Sequence, residues 1–202
     1  MAKSDTVSLE IVGARARDYR AHAGLAKTVE LVQTSWQQIE DAGVTYEVAG
    51  GILFRHIFRI APQALPLFSF GKAPDAKVDD ALFESAALRT HSAKVVATVA
   101  GAVKKLGQLE ELAPVLAALG TKHVEYGVIP AHYEVVGEAL IATLKDALGE
   151  AFTPEVKAAW VAVYGIVKTT MIGDNYPSEE PPRTPEDEDI STKTPNCKCT
   201  LI

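Results

Sequence analysis

Few side chains in this 202-residue chain could do chemistry, and histidine leads them: His22, His56, His91, His123 and His132. An imidazole can ligate a metal, act as a base, or simply hydrogen-bond within a fold. His91 interrupts a stripe of small and apolar residues in LRTHSAKVV and is expected to point inward. His123 lies in GTKHVEYG, near a helix end, where neither a cap nor a core role is evident. Each has a plain reading beside the chemical one: a hydrogen-bonded core histidine, and a surface or capping group. Partners for most other chemistry are missing. The two cysteines, Cys197 and Cys199, are separated by a single residue near the C-terminus, and there is no tight carboxylate cluster and no HExxH. A bare zinc or di-iron centre therefore lacks ligands. No GxSxG elbow supports a serine triad, Ser92 being only the helical neighbour of His91, and neither GxGxxG nor GKS occurs.

The elements that must position these histidines read as helices. Hydrophobic residues make up 48% and charged residues 23% of the chain, a globular composition, and the formal charge of -6 disfavours binding to nucleic acid. Val32, Trp36 and Ile39 recur at helical spacing. So do Leu88, His91, Val95, Thr98, Val99 and Ala102, then Tyr133, Val136, Gly137, Leu140, Leu144 and Leu148, and finally Val156, Trp160, Val163, Tyr164, Val167 and Met171. Thr153 followed by Pro154 and Glu155 marks a helix start, and Pro130 marks another. Pro62 and Pro66 interrupt a helical run that begins near Thr45, which predicts a short tight helix there. Gly120 is expected to end or relax the segment that begins near Leu109. The fold class is all-α, with about seven or eight helices of unequal length.

On separate helices, His91 and His123 would face an interior lined by Phe54, Phe68, Val95, Val128 and Tyr133. Such a pair suits iron already held in a flat, apolar macrocycle, with the apolar shell excluding water and protecting the ferrous state. Five separated segments then carry a resemblance: LVQTSWQQI, AGGILFRHIFRIAPQALPLF, LRTHSAKVV, LAALGTKHVEYGV and EAFTPEVKAAWVAVYGIV, in that order over roughly residues 27 to 172. Together they resemble the globin family, most closely its neuroglobin and globin X branch.

That resemblance implies a globin fold of about eight helices and a haem b (iron protoporphyrin IX) cofactor, noncovalent because the body has no CxxCH. It makes His123 the proximal iron ligand and His91, 32 residues earlier, the distal histidine, able to bind the iron itself in a six-coordinate resting state. Phe68 would stack on the haem, Phe54 would shape the distal pocket, and Val95 would line it one turn after His91. Lys94 would reach a propionate at the rim, while Val128 and Tyr133 would form proximal walls. Gly50 and Ser92 fit a close helix crossing. The ligands implied are O2, CO or NO, in a sensing, redox or oxygen-binding role. An enzyme of nitrite reduction or NO dioxygenation, fed by an electron-donating reductase, is the alternative, and a non-haem interaction domain of the same shape is a third.

Both ends extend past this domain. Residues 1 to 26 form an N-terminal extension around a domain at 27 to 172, and the tail from 173 onward is acidic and rich in proline, with Pro177, Pro181, Pro182, Pro185 and Pro195. Both are expected to be flexible. The start has charges where a secretory signal needs its apolar core, and Ala2 stands where myristoylation needs glycine, so a cytoplasmic-side location is expected. Cys199-Thr200-Leu201-Ile202 fits a C-a-a-X prenylation box of the geranylgeranyl type, and Cys197 is a candidate palmitoylation site. Two such lipids would attach the protein peripherally to a membrane.

Overall fold

A computed structural model describes residues 24–176, and the described elements are helical. In chain order they are α1 (24–41), α2 (Tyr46–Ile60), a 3-10 turn (Pro62–Leu67), a second (Ser69–Gly71), α3 (Asp80–Glu84), α4 (Ala86–Lys104), α5 (Leu109–Glu125), α6 (Pro130–Leu148) and α7 (Pro154–Ile172), with short 3-10 turns after α6 and α7. His22, Cys197, Cys199 and the two extensions apart from the segments next to the domain lie outside the described residues. No described helix is long and apolar enough to cross a membrane.

Helix starts follow from capping chemistry, because the first backbone N–H groups of a helix have no partner within it. The Thr45 hydroxyl accepts from the Val48 N–H, the Asp79 carboxylate from Leu82 N–H, and the Thr153 hydroxyl from Val156 N–H. Ser85 does double duty between α3 and α4: its hydroxyl accepts from Leu88 N–H and donates to the Leu82 carbonyl at 2.6 Å. Pro62 and Pro66 do produce the tight helix, a 3-10 turn that ends at Phe68 in extended backbone. Phe68 thereby leaves the helical path and can turn its ring toward the interior.

The core sits where α2 packs on α4 and α6, and where α7 packs on α5 and α6. Trp160 of α7 stands 6.0 Å from Trp36 of α1, ring centre to ring centre, and its indole N–H donates to the Ser35 hydroxyl at 2.9 Å. That hydroxyl in turn donates to the Leu31 carbonyl at 2.7 Å, so the one polar bridge through this apolar contact is satisfied. The stripes through Trp36, Leu140 and Trp160 are buried at their centres, with Val136, Leu148, Tyr164 and Val167 half-buried.

Two expectations from the sequence are revised. The buried face of α4 runs through Leu88, Ser92, Val96, Ala100 and Val103, one position round from the stripe containing His91. Small Ser92 takes the core position, Val95 and Val99 are half-buried beside it, and His91, expected to point inward, is largely exposed. Gly120 does not end α5 either; the helix continues through it to Glu125. A Cβ at Gly120 would stand 2.0 Å from the Met171 carbonyl oxygen, so glycine serves the crossing with α7. The crossing expected at Gly50 is present: a Cβ there would fall 2.6 Å from the Ser92 carbonyl carbon.

Candidate functional site

α4 and α5 carry the two histidines, and they stand on different supports. α4 is seated on α2 through the Gly50–Ser92 crossing, and α5 on α7 through Gly120. α4 and α5 are not among the closely packed helix pairs.

On the α4 side, three aromatic rings flank one side of His91. Its ring centre lies 5.5 Å from those of Phe54 and Phe68 and 5.9 Å from that of Phe70, all in edge-to-face arrangements. Phe54 is almost fully buried and contacts Phe58, Phe68 and Phe70 as well. The remaining side of His91 is open to solvent. Burial against the rings holds its pKa below the ordinary imidazole value, and the charges of Lys94 and of His123 push the same way. His91 is thus neutral near pH 7, with a lone pair to offer.

On the α5 side, the end of the helix fixes His123. Gly127 has φ +81°, and the N–H groups of Gly127 and Val128 turn back onto the carbonyls of Val124 and His123 at 2.9 and 3.0 Å. This left-handed glycine cap holds Val128 against the turn that bears His123. The His123 Nδ1 lies 2.8 Å from the Leu119 carbonyl oxygen. A carbonyl can only accept, so Nδ1 carries a proton, and in the neutral ring the lone pair is on Nε2. Tyr133 of α6 packs its ring 6.0 Å from the His123 ring, and Tyr126 stands 6.4 Å away on the exposed side.

The residues singled out in the sequence thus fall into two clusters: Phe54 and Phe68 with His91, and Val128 and Tyr133 with His123. Val95 is half-buried against the core. Lys94 is exposed and also borders a shallow depression with Tyr46, Glu47 and Arg89 that includes neither histidine. The other described histidines are engaged elsewhere. His56 pairs with Asp146 at 2.7 Å, and His132 Nδ1 accepts from Ile129 N–H at the start of α6. Phe70, stacked on Phe68 at 5.2 Å, is a site residue that sequence reading missed, although its spacing in LFSF offered the signal.

Two imidazoles on separately mounted helices, each with aromatic rings beside it, are of the kind that suits a flat apolar cofactor needing axial nitrogen ligands. No group of three or more His, Cys, Asp or Glu side chains able to hold a bare metal ion occurs among the described residues.

The pattern of the globin family matches residues 52–171. The chain is 32% identical to neuroglobin of Tetraodon nigroviridis over 146 residues, 72% of this chain and 89% of that protein. It is also 32% identical to neuroglobin of Danio rerio over 145 residues, 70% and 86% of the two chains. A flavohemoprotein of Bacillus subtilis (strain 168) is 28% identical over 147 residues, which cover 73% of this chain and a third, 33%, of the larger protein. The chain belongs to the globin family. With that membership come the globin fold, a haem cofactor and small gaseous ligands such as O2.

Proposed function

We propose that this globin holds a noncovalent, b-type haem between His123 and His91, with both imidazoles on the iron in the resting state, and that it binds O2, CO or NO reversibly in a sensing, redox or oxygen-binding role. The observation that carries the reading is the hydrogen bond from His123 Nδ1 to the Leu119 carbonyl, which leaves Nε2 as the nitrogen available to a metal. Haem supplies an iron that both nitrogen bases and small gases can ligate.

The chain's own residues account for the rest. His123 anchors from a capped helix end, and its tautomer is fixed. His91, whose ring has no hydrogen bond recorded to a protein partner among the described residues and whose pKa is depressed by burial, is free to swing onto the iron or away from it. Phe54, Phe68 and Phe70 cover one side of it with apolar surface. Val95 and Val128 would form apolar walls, and Lys94 would meet a propionate at the rim. A gas then takes the place that His91 vacates, and the observed affinity is the intrinsic one reduced by the fraction of open molecules.

The test is spectroscopic. In His91→Ala, two sharp visible bands of the ferrous protein should become one broad band, and CO binding should lose its slow histidine-dissociation phase. His123→Ala should lose haem more readily. A parent protein whose ferrous spectrum is already five-coordinate overturns the six-coordinate assignment.

A further inference from the structure

In the segment LFSFG two phenylalanines flank a serine, and the backbone makes one surface of their rings. Phe68 leaves the first 3-10 turn in extended backbone, its N–H donating to the Leu65 carbonyl at 3.1 Å. The second turn, Ser69–Gly71, closes back on it. The Gly71 N–H donates to the Phe68 carbonyl at 2.9 Å, and a Cβ on Gly71 would stand 2.1 Å from the Leu65 carbonyl oxygen, so glycine lets the two turns lie this close. Phe70 is mounted between these two pinned residues, its ring nearly parallel to that of Phe68, with 7° between the planes and 5.2 Å between the centres. The His91 ring stands across the pair at 73° to Phe68 and 67° to Phe70, and Phe54 meets it at 89°. An imidazole in three edge-to-face contacts cannot turn far about its Cβ–Cγ bond without giving some of them up. The other described histidines are oriented by hydrogen bonds, His56 to Asp146, His123 to Leu119 and His132 to Ile129, whereas the ring contacts of His91 are aromatic.

We infer that Phe70 is a positioning residue for His91: stacked on Phe68, it fixes the orientation of the imidazole and so speeds its bonding to the haem iron. This rests on the reading of His91 as the second axial ligand. The last torsion of a histidine side chain is broad, so a ring without such contacts samples many orientations. A ring already held in one orientation gives up fewer conformations when it bonds, and bonds faster. The pose held by the phenylalanines also keeps His91 within the electrostatic reach of His123, whose charge is among the causes that lower the His91 pKa. The bond concerned is a dative one from an imidazole nitrogen, formed at the position a gas has left, and no electron is transferred.

The experiment follows the full-length ferrous haem protein after flash photolysis of its CO complex, when His91 and CO compete for the iron. Phe70→Leu keeps an apolar side chain but removes the ring, and His91 rebinding should slow about two- to tenfold, the span of one lost aromatic contact. Phe70→Tyr, which keeps the ring, should recover most of that rate. In a His91→Ala background Phe70→Leu should alter CO rebinding by less than about twofold, because the effect passes through His91. A readout independent of ligand kinetics is the nuclear Overhauser contact expected between the ring protons of His91 and Phe70 in the gas-free ferrous protein. His91 rebinding in Phe70→Leu that is unchanged or faster overturns the inference alone, as does a Phe70→Tyr variant as slow as Phe70→Leu. The same holds for a CO effect just as large without His91, and for a missing contact between the two rings. A parent without a Soret band, or one whose ferrous spectrum is five-coordinate, overturns the reading of His91 and this inference with it.

Discussion

The proton on His123 Nδ1 shows how far a single side chain's role depends on its surroundings. From the sequence, GTKHVEYG gave no cap or core role, because the hydrogen bond that orients the ring runs to the backbone carbonyl of Leu119, an atom common to every residue. Gly127 was the available sign: a glycine four residues past His123 permits the left-handed cap that stops the helix there. Phe54 was legible as an apolar site residue, and its part can be measured. Its ring closes on His91 from α2 and touches three further phenylalanines, so Phe54→Ala should cost about 3–5 kcal/mol of stability. It should also open space beside His91 and change gas rebinding after flash photolysis. Rebinding identical to the parent would place the ring outside the ligand path.

At the scale of elements, neighbouring glycines with opposite duties decide how the histidines are mounted. A Cβ at Gly50 would meet the Ser92 backbone at 2.6 Å, whereas one at Gly51 would meet nothing within 4 Å. Gly50→Ala should push α4 away from α2, at an overpacking cost of about 1–3 kcal/mol, and loosen the seat of His91. Gly51→Ala should instead stabilise α2 by roughly 0.4–1 kcal/mol through the unfolded chain. Chemical denaturation of the two variants checks both signs; the same sign for both would contradict this account of the crossing. The sequence disclosed helix starts well, because Thr153, Pro154 and Pro130 act locally. It disclosed less at Gly120 and along α4. Whether a glycine ends a helix or admits a neighbour depends on Met171, far along the chain, and one position of rotation separates the buried Ser92 face from the face bearing His91.

For the molecule as a whole, the all-helical class and the order of its segments were readable from periodicity and from the five matching stretches, while the manner in which the helices share supports was not. α4 leans on α2 and α5 leans on α7, with little direct packing between the two. On the proposed coordination, a cofactor fastened to both histidines would be a cross-brace between two separately founded parts, and a gas that displaced His91 would undo one of its two fastenings. In the CO-saturated ferrous protein, backbone amides of α4 should exchange hydrogen faster than in the gas-free ferrous protein, while those of α5, still tied through His123, should keep their protection. Equal protection of α4 in the two states would show that the brace bears no load. Where the difference appears, the arrival of a diatomic molecule is recorded as mechanical slack in one half of the protein, a signal that a binding partner could feel without ever touching the iron.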